Sequence, residues 1–242
     1  MLRVLDAFTA ERPDLSLSEI SRRTGLPLST AHRLVAELTD WGALERDDRG
    51  RYRIGLRLWE VAALAPRGLG LREIAMPFLE DLYEATHENV QLAVLDGADV
   101  VYIERISGRG AVRVRTRVGG RWPAHTTGVG LVLLAYAVTD VQERYLAGTL
   151  TAFTEKTIVD PVRLRRELAE VRRRGFAVSD GQVTLDALSV AAPVRSAENT
   201  VIAALSLVVR AGADRHGTLV PAVRTAALGI SRALRRARPS FR

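Results

Sequence analysis

A chain of 242 residues, 47% hydrophobic and 26% charged, is long for one small domain and comfortable for two. No run of about 18 apolar residues occurs, so no helical membrane span is expected, and the absence of cysteine excludes disulfides, thiol catalysis and cysteine metal sites. The net charge is +7, and Lys156 is the only lysine among 35 basic residues. Arginine suits phosphate and base-edge recognition, and it is equally the mark of GC-rich coding. The first 65 residues carry ten arginines against ten carboxylates, so the basicity is not concentrated in that part. The opening MLRVLDAFTAERPD lacks the continuous apolar core of a signal peptide, and a cytoplasmic location is expected.

Leu2, Leu5 and Phe8 recur at helical spacing and predict a short first helix. SLSE then offers Ser16 as N-cap with Glu19 three residues on, a capping box. Leu17 and Ile20 face inward, and Gly25 ends this second helix. Leu26-Pro27-Leu28 reads as a tight connector and Ser29 as the cap of a third helix. Its apolar stripe is Ala31, Leu34, Val35 and Leu38, with Trp41-Gly42 at its end. A hairpin follows: a strand from Leu44, a turn from Asp47 to Gly50, and Tyr52 and Ile54 alternating with Arg51 and Arg53. Residues 56–65 read as a linker helix with Leu56, Trp59 and Ala63 on one side. Pro66-Arg67-Gly68 breaks the pattern and marks the domain boundary.

The second part opens with a helix over residues 71–87, with Ile74, Phe78 and Leu82 inward. NVQLAVLDGADVVYIERI predicts a hairpin around Asp96-Gly97, and AVRVRTRV a third strand. The loop GGRWPAHTTGVG leads into the apolar helix LVLLAYA, and a short helix lies near Val141 to Ala147. Asp160 caps the next helix, with Pro161 at its first position and Gly175 at its end. FAVSD, SVAAPVRS and VIAALSLVVRA are strands, the last two joined at Glu198-Asn199, and residues 218–238 form a final helix. The fold class is α+β: a winged helix-turn-helix over residues 1–55, a linker helix over 56–70, an antiparallel sheet with helices over 71–238, and a tail from 239 to 242.

SLSEISRRTGLPLSTAHRLVAELTDWGALERDDRGRYRIG resembles the DNA-binding domain of the IclR family of bacterial transcriptional regulators. RWPAHTTGVGLVLLA, RRRGFAVSD, SVAAPV and VIAALSL resemble, in order, motifs of that family's effector domain. The resemblance implies a winged helix-turn-helix joined to a GAF-like ligand-binding domain, assembled as a homodimer or homotetramer. It also implies repression or activation of transcription from double-stranded operator DNA, controlled by a small organic acid.

In a helix-turn-helix the recognition helix reads the major groove from its N-terminal end. Ser29, Thr30, His32 and Arg33 are therefore the candidate contacts, with Arg33 long enough for guanine O6 and N7. Arg22 and Arg23 on the preceding helix, and Arg49, Arg51 and Arg53 on the wing, are candidate phosphate contacts. Each also reads as ordinary surface charge, and Ser29 as a mere cap. Relatives often have a basic residue where this chain has Leu28.

By position in the family, Gly128 and Val129 are candidates to hold a carboxylate through their amides, at a helix start where the dipole favours anions. Gly128 and Gly130 read equally as packing glycines. Ser179, Ser189 and Ser206 would be the polar side chains opposite, with Ala111, Trp122 and Ala187 as apolar walls and His125 in the same loop. Many relatives have cysteine at Ser189, lysine at Leu131 and, in some, serine at Val208; an acid expected near Ser179 falls to Asp180 or Asp186. This loss of polar groups implies an acid larger or more apolar than two- or three-carbon keto acids. Trp122 could stack on an aromatic ring or belong to the core.

The rival class is a small-molecule enzyme whose winged domain only mediates interactions. The four histidines form no HxxxH or HExxH pair, and no GxSxG, Walker loop or GxGxxG occurs. No catalytic residue, metal or cofactor is expected.

Overall fold

The computed structural model describes residues 1–65, 69–212 and 216–237. They form two compact units, Met1–Leu69 and Gly70–Arg242. The break expected at Pro66-Arg67-Gly68 and the tail at 239–242 lie outside the described residues.

In the first unit, helices α1 (Leu2–Leu5), α2 (Leu17–Thr24) and α3 (Leu28–Asp40) precede strands β2 (Leu44–Arg46) and β3 (Tyr52–Ile54). The capping box of α2 forms: the Glu19 amide donates to the Ser16 hydroxyl, and the Ser16 amide to the Glu19 carboxylate at 2.8 Å. Gly25 ends α2 in the left-handed region, φ 68°. Val4, Leu15, Ile20, Leu34, Val35, Leu38, Leu44 and Tyr52 are buried together, so the predicted stripe of α3 is its inner face.

Several expectations change here. First, α1 stops at Leu5, and Phe8 packs on the core from beyond the helix. Second, Ser29 is not a cap. Helix α3 begins two residues earlier, with Pro27 at the N-cap and the Ala31 amide donating to the Pro27 carbonyl at 2.9 Å. Proline's fixed φ, here −53°, sets the helical entry without a capping side chain. Third, the hairpin gains a strand: β1 (Asp14–Leu15) pairs antiparallel with β3, so the order is β1-β3-β2. Two residues are too few to show a period. Ile54, expected on the apolar side, is exposed where β3 runs out into α4 (Leu56–Ala62), a helix shorter than predicted.

The second unit is a six-stranded antiparallel sheet in the order β6-β5-β4-β9-β8-β7. Its strands are β4 (Asn89–Asp96), β5 (Asp99–Ile106), β6 (Arg121–Pro123), β7 (Ala177–Asp180), β8 (Ala187–Arg195) and β9 (Val201–Arg210). Strand alternation divides the side chains between two faces. On one, Val90, Leu92, Val190, Leu205 and Leu207 pack with α5 (Leu69–Thr86) and α9 (His216–Arg236). On the other, Ala93, Ala191 and Ala204 pack with α6 (Gly128–Ala135) and α8 (Pro161–Arg174), while α7 (Thr139–Leu146) adds Leu146. Asp160 caps α8 through the Val162 and Arg163 amides and Gly175 ends it at φ 77°, both as predicted.

The inner row of α5 is Leu71, Ala75, Leu79 and Leu82. Ile74 and Phe78, expected inward, lie at its flank, where the Phe78 ring packs against Gly229 of α9; a Cβ there would approach it to 2.5 Å. The strand expected at AVRVRTRV does not form, and β6 takes its place at the sheet edge. Side chains, not a neighbouring strand, hold the carbonyls of that segment. Asn89 Nδ2 donates to Val112 O at 2.8 Å, and Arg105 Nη1 to Thr116 O at 2.9 Å.

Every residue of α6 is buried, as its uniformly apolar sequence requires. It follows a 3-10 turn at Ala124–Thr126 and is capped by Thr127. A Cβ on Gly130 would lie 2.0 Å from the Ala124 carbonyl oxygen, so only glycine lets the helix press against that turn. Gly130→Ala therefore overpacks backbone against backbone, and a stability loss of about 3 kcal/mol is expected in urea unfolding.

Candidate functional site

In the first unit, Ser29, His32, Arg33 and Ala36 are exposed along the outer face of α3, and Thr30 is half-buried. With Pro27 at the N-cap, the Ser29 hydroxyl is left without a partner among the described residues. Arg33 is held by Glu37 one turn on, at 2.5 Å. Exposed i, i+4 pairs are weak, so a guanine edge can replace that carboxylate at small cost. Arg22 is exposed and has no partner among the described residues, whereas Arg23 Nε donates to the Ala7 carbonyl at 2.8 Å.

The wing arginines divide by partner. Asp47 Oδ1 accepts from the amides of Arg49 and Arg51 and shapes the turn. Arg51 reaches across β1, donating to the Asp14 carbonyl at 2.6 Å with Glu19 at 3.2 Å. Arg53 makes a forked contact with Glu45, at 3.0 and 2.9 Å. Glu45 also accepts from the Leu56 amide, and that bond, then Arg53, holds its carboxyl below the usual range. Arg51 and Arg53 thus fasten the wing, and the Arg49 guanidinium at its tip is free. Leu28 stands exposed at the head of α3.

In the second unit a cavity opens between the sheet and the start of α6. Trp122, Gly128, Val129, Ser179, Ala187, Ser189 and Ser206 line it, as expected. Strand alternation puts Gln91, Ser189, Ser206 and Val208 on this face, opposite the aliphatic one. The Thr127 side chain accepts from the Gly130 amide at 3.0 Å and its carbonyl from Leu131 at 2.9 Å. The amides of Gly128 and Val129 remain the open donors of the first turn. A Cβ on Gly128 would come within 2.7 Å of Ser189 Oγ, so the bare backbone keeps this corner of the cavity open.

Ser206 Oγ is buried and has no hydrogen-bond partner among the described residues. Three other polar groups of the lining are engaged: Ser179 Oγ donates to the Thr126 carbonyl at 3.2 Å, Gln182 Nε2 to Ser179 at 3.3 Å, and Gln91 Nε2 to Thr116 Oγ1 at 2.7 Å. Tyr102 lies beside Thr127, and burial pushes its phenol up, so it stays neutral. The sequence reading missed Gln91, Tyr102, Val114, Arg115, Thr116 and Gln182. The middle three belong to the segment expected as a strand. Arg115 brings a guanidinium to the mouth, 5.8 Å from the Trp122 ring centre, and Trp122 packs on Phe153 at 5.1 Å.

Two candidates lie elsewhere. Ala111 is outside the cavity because its segment bends across the sheet edge, bringing Val114, Arg115 and Thr116 to the lining instead. His125 points away, since the 3-10 turn sends neighbouring side chains in different directions. Its Nδ1 lies 2.7 Å from the Tyr145 hydroxyl and its Nε2 3.1 Å from the Thr151 carbonyl. Nor does either alternative acid enter: Asp180 pairs with Lys156 at 3.1 Å and Asp186 with Arg210 at 3.5 Å.

A helix-turn-helix with an exposed recognition helix, followed by a separate unit with a polar-cornered apolar cavity, defines a DNA-binding transcriptional regulator. Residues 1–48 match the IclR helix-turn-helix domain, and residues 64–232 the family described as bacterial transcriptional regulator IclR C-terminal. The HTH-type transcriptional regulator KipR of Bacillus subtilis (strain 168) is 34% identical over 225 residues, 91% of this chain and 90% of that protein. XynR of Escherichia coli (strain K12) is 34% identical over 208 residues, 85% and 82% of the two chains. The crystal structure of an IclR homolog complexed with 4-hydroxybenzoate, from Microbacterium hydrocarbonoxydans, superposes with a TM-score of 0.93 at 40% identity, covering 98% of each chain. The chain belongs to the IclR family of transcriptional regulators, which are not enzymes. No described helix is long and apolar enough to cross a membrane.

The His125 contacts carry a pH prediction. A carbonyl only accepts, so Nε2 bears the proton toward Thr151 and Nδ1 accepts from Tyr145. Burial holds the imidazole below its ordinary value of 6.5, against a smaller upward pull from the Thr151 carbonyl. Between the folded value and 6.5 the unfolded chain binds more protons, so stability rises with pH across that window and levels off above it. His125→Gln is expected to flatten this dependence in urea titrations at several pH values between about 5 and 7.

Proposed function

We propose that the protein is an effector-controlled regulator whose second unit binds an aromatic carboxylic acid and thereby changes operator affinity. The observation that carries this reading is Ser206: a buried hydroxyl without a partner, in a cavity that also offers the Gly128 and Val129 amides. An unpaired buried polar group is costly, and a ligand hydroxyl or carboxylate relieves it. Trp122 and Val208 supply apolar walls for a ring. The solved relative with 4-hydroxybenzoate supports an acid of this kind. Arg115 at the mouth adds a positive charge that favours an anionic ligand over its neutral analogue.

On the DNA side, Ser29, Thr30, His32 and Arg33 approach the major groove, with Arg22 and Arg49 on flanking phosphates. Arg23, Arg51 and Arg53 act first on the unit itself and touch phosphate only with the N–H groups left over. The regulator works in the cytoplasm as a homodimer or homotetramer, its recognition helices on successive half-sites. A ligand regulates only by preferring one arrangement of these helices over another.

Calorimetric titration with 4-hydroxybenzoate tests the effector reading. Ser206→Ala is expected to leave the stability of the free protein unchanged or slightly raised and to weaken binding about ten-fold, one lost hydrogen bond to a charged group. Wild-type protein that binds no aromatic acid, or binds one without any change in operator affinity, contradicts the proposal. For the DNA end, Arg33→Ala is expected to narrow the gap between operator and altered sites about ten-fold or more. Arg49→Ala should weaken all sequences alike and lower the salt slope by about one. Fluorescence anisotropy at several salt concentrations reads both.

A further inference from the structure

The net charge of +7 lies wholly beyond residue 65, outside the helix-turn-helix. Part of it converges on a groove at the edge of the sheet, distinct from the effector cavity. Strand β8 outruns its edge partner: pairing with β7 ends at Ala177 opposite Ala191, and Ala192 to Arg195 continue alone on that side. The groove lies along this stretch, between α9 and the ends of α6 and α8. Arg195, Arg224 and Arg235 line it with Tyr136, and no carboxylate does. None of the three arginines forms an ion pair among the described residues. Arg195 lies 4.8 Å from the Tyr136 ring centre and donates to the Asn199 carbonyl at 3.0 Å; Arg235 Nε donates to Ser231 O at 3.3 Å. Most of their N–H groups remain open.

Simpler roles for this cluster fit less well. The ends of α6 and α8 have their own cations, and of the three groove arginines Arg235 alone stands in the last turn of a helix, α9. Arg172 donates to the Ala135 carbonyl at 3.3 Å, and Arg172, Arg173 and Arg174 complete the last turn of α8. An added peptide strand is disfavoured, because Pro193 has no N–H and the Arg195 amide is already bound to Ser231 Oγ at 2.9 Å. A second copy joined through the same patch would set arginine against arginine. A monocarboxylate would leave two of the three guanidinium charges without a counter-charge.

We propose that this groove is a second ligand site, which binds a phosphoryl group between Arg195, Arg224 and Arg235. A phosphoryl group brings close to two negative charges and three acceptor oxygens, and guanidinium forks match its geometry. Tyr136, Ala227 and Leu228 give the rest of the ligand an apolar wall. The phosphoryl group belongs either to a free phosphoester or to a DNA backbone.

Titration of the full-length protein with inorganic pyrophosphate at low ionic strength, followed by calorimetry, tests the site. Saturable binding is expected for the wild type and for Arg232→Glu/Arg236→Glu, which reverses equal charge on α9 away from the groove. Arg224→Glu/Arg235→Glu should bind at least ten-fold more weakly with an unchanged circular dichroism spectrum; Arg224→Gln/Arg235→Gln serves if the reversal impairs folding. A short non-operator duplex that displaces pyrophosphate supports the site with backbone phosphate as its source, and one that leaves it in place supports it with a free phosphoester. No saturable binding, or equal loss in both reversals, overturns the proposal. A smaller assembly on light scattering for Arg224→Glu/Arg235→Glu alone also overturns it and assigns the groove to a second copy of the chain.

Discussion

The cavity of the second unit depends on one close approach, that of Gly130 to the Ala124 carbonyl. It presses the first turn of α6 against the 3-10 turn and fixes where the free amides of Gly128 and Val129 emerge. Thr127 completes the arrangement by taking the Gly130 amide onto its own hydroxyl. A helix start free to shift by an ångström would offer its dipole to water; this one is clamped by backbone and buried along its length. The sheet supplies the other half of the geometry. Its strands turn aliphatic residues toward α5 and α9, and Gln91, Ser189 and Ser206 toward α6. A polar corner therefore forms without interrupting the larger apolar core behind it.

The helix-turn-helix shows how an arginine-rich chain assigns one residue type to two tasks. Arg23, Arg51 and Arg53 reach backbone carbonyls or carboxylates of their own unit. They hold α2, β1 and the wing in register, and through Glu45 they tie β3 to the start of α4. Arg22 and Arg49 have no such partner, and Arg33 has only an exposed one. The distinction lies in contacts between residues far apart in sequence, such as Arg51 with Asp14. A linear reading that treats the wing arginines as equivalent cannot see it.

Much of the fold was legible because local rules agreed with tertiary packing. The capping box at Ser16, the Asp160-Pro161 start and the alternation in β8 and β9 are each carried by a few adjacent residues. The losses share a cause. Residues 111–118 alternate like a strand, yet Asn89 and Arg105 claim their carbonyls from a distance, so the pattern signals burial of Val112 rather than pairing. Strand β1 was too short to have a period. Ser29 lost the cap to Pro27, whose ring presets the helix without a side-chain bond. Most of the effector cavity was found by position in the family, whereas Gln91, Tyr102 and Arg115 required knowledge of which strands neighbour one another.

Electrostatics divides the molecule against the simplest expectation. The helix-turn-helix is close to neutral, so the proposed DNA contacts draw on a few exposed cations and on hydroxyl and amide groups at the head of α3. Contacts of that kind position and discriminate, but supply little of the salt-dependent attraction that basic patches provide. The second unit holds the excess arginine, and among the described residues Arg195, Arg224 and Arg235 on β8 and α9 form no ion pair with an acid. Keeping like charges together in a shared groove raises the energy of the free protein. An anion that neutralises them is therefore bound in proportion to the repulsion it relieves, and it acts on the same unit that holds the effector cavity.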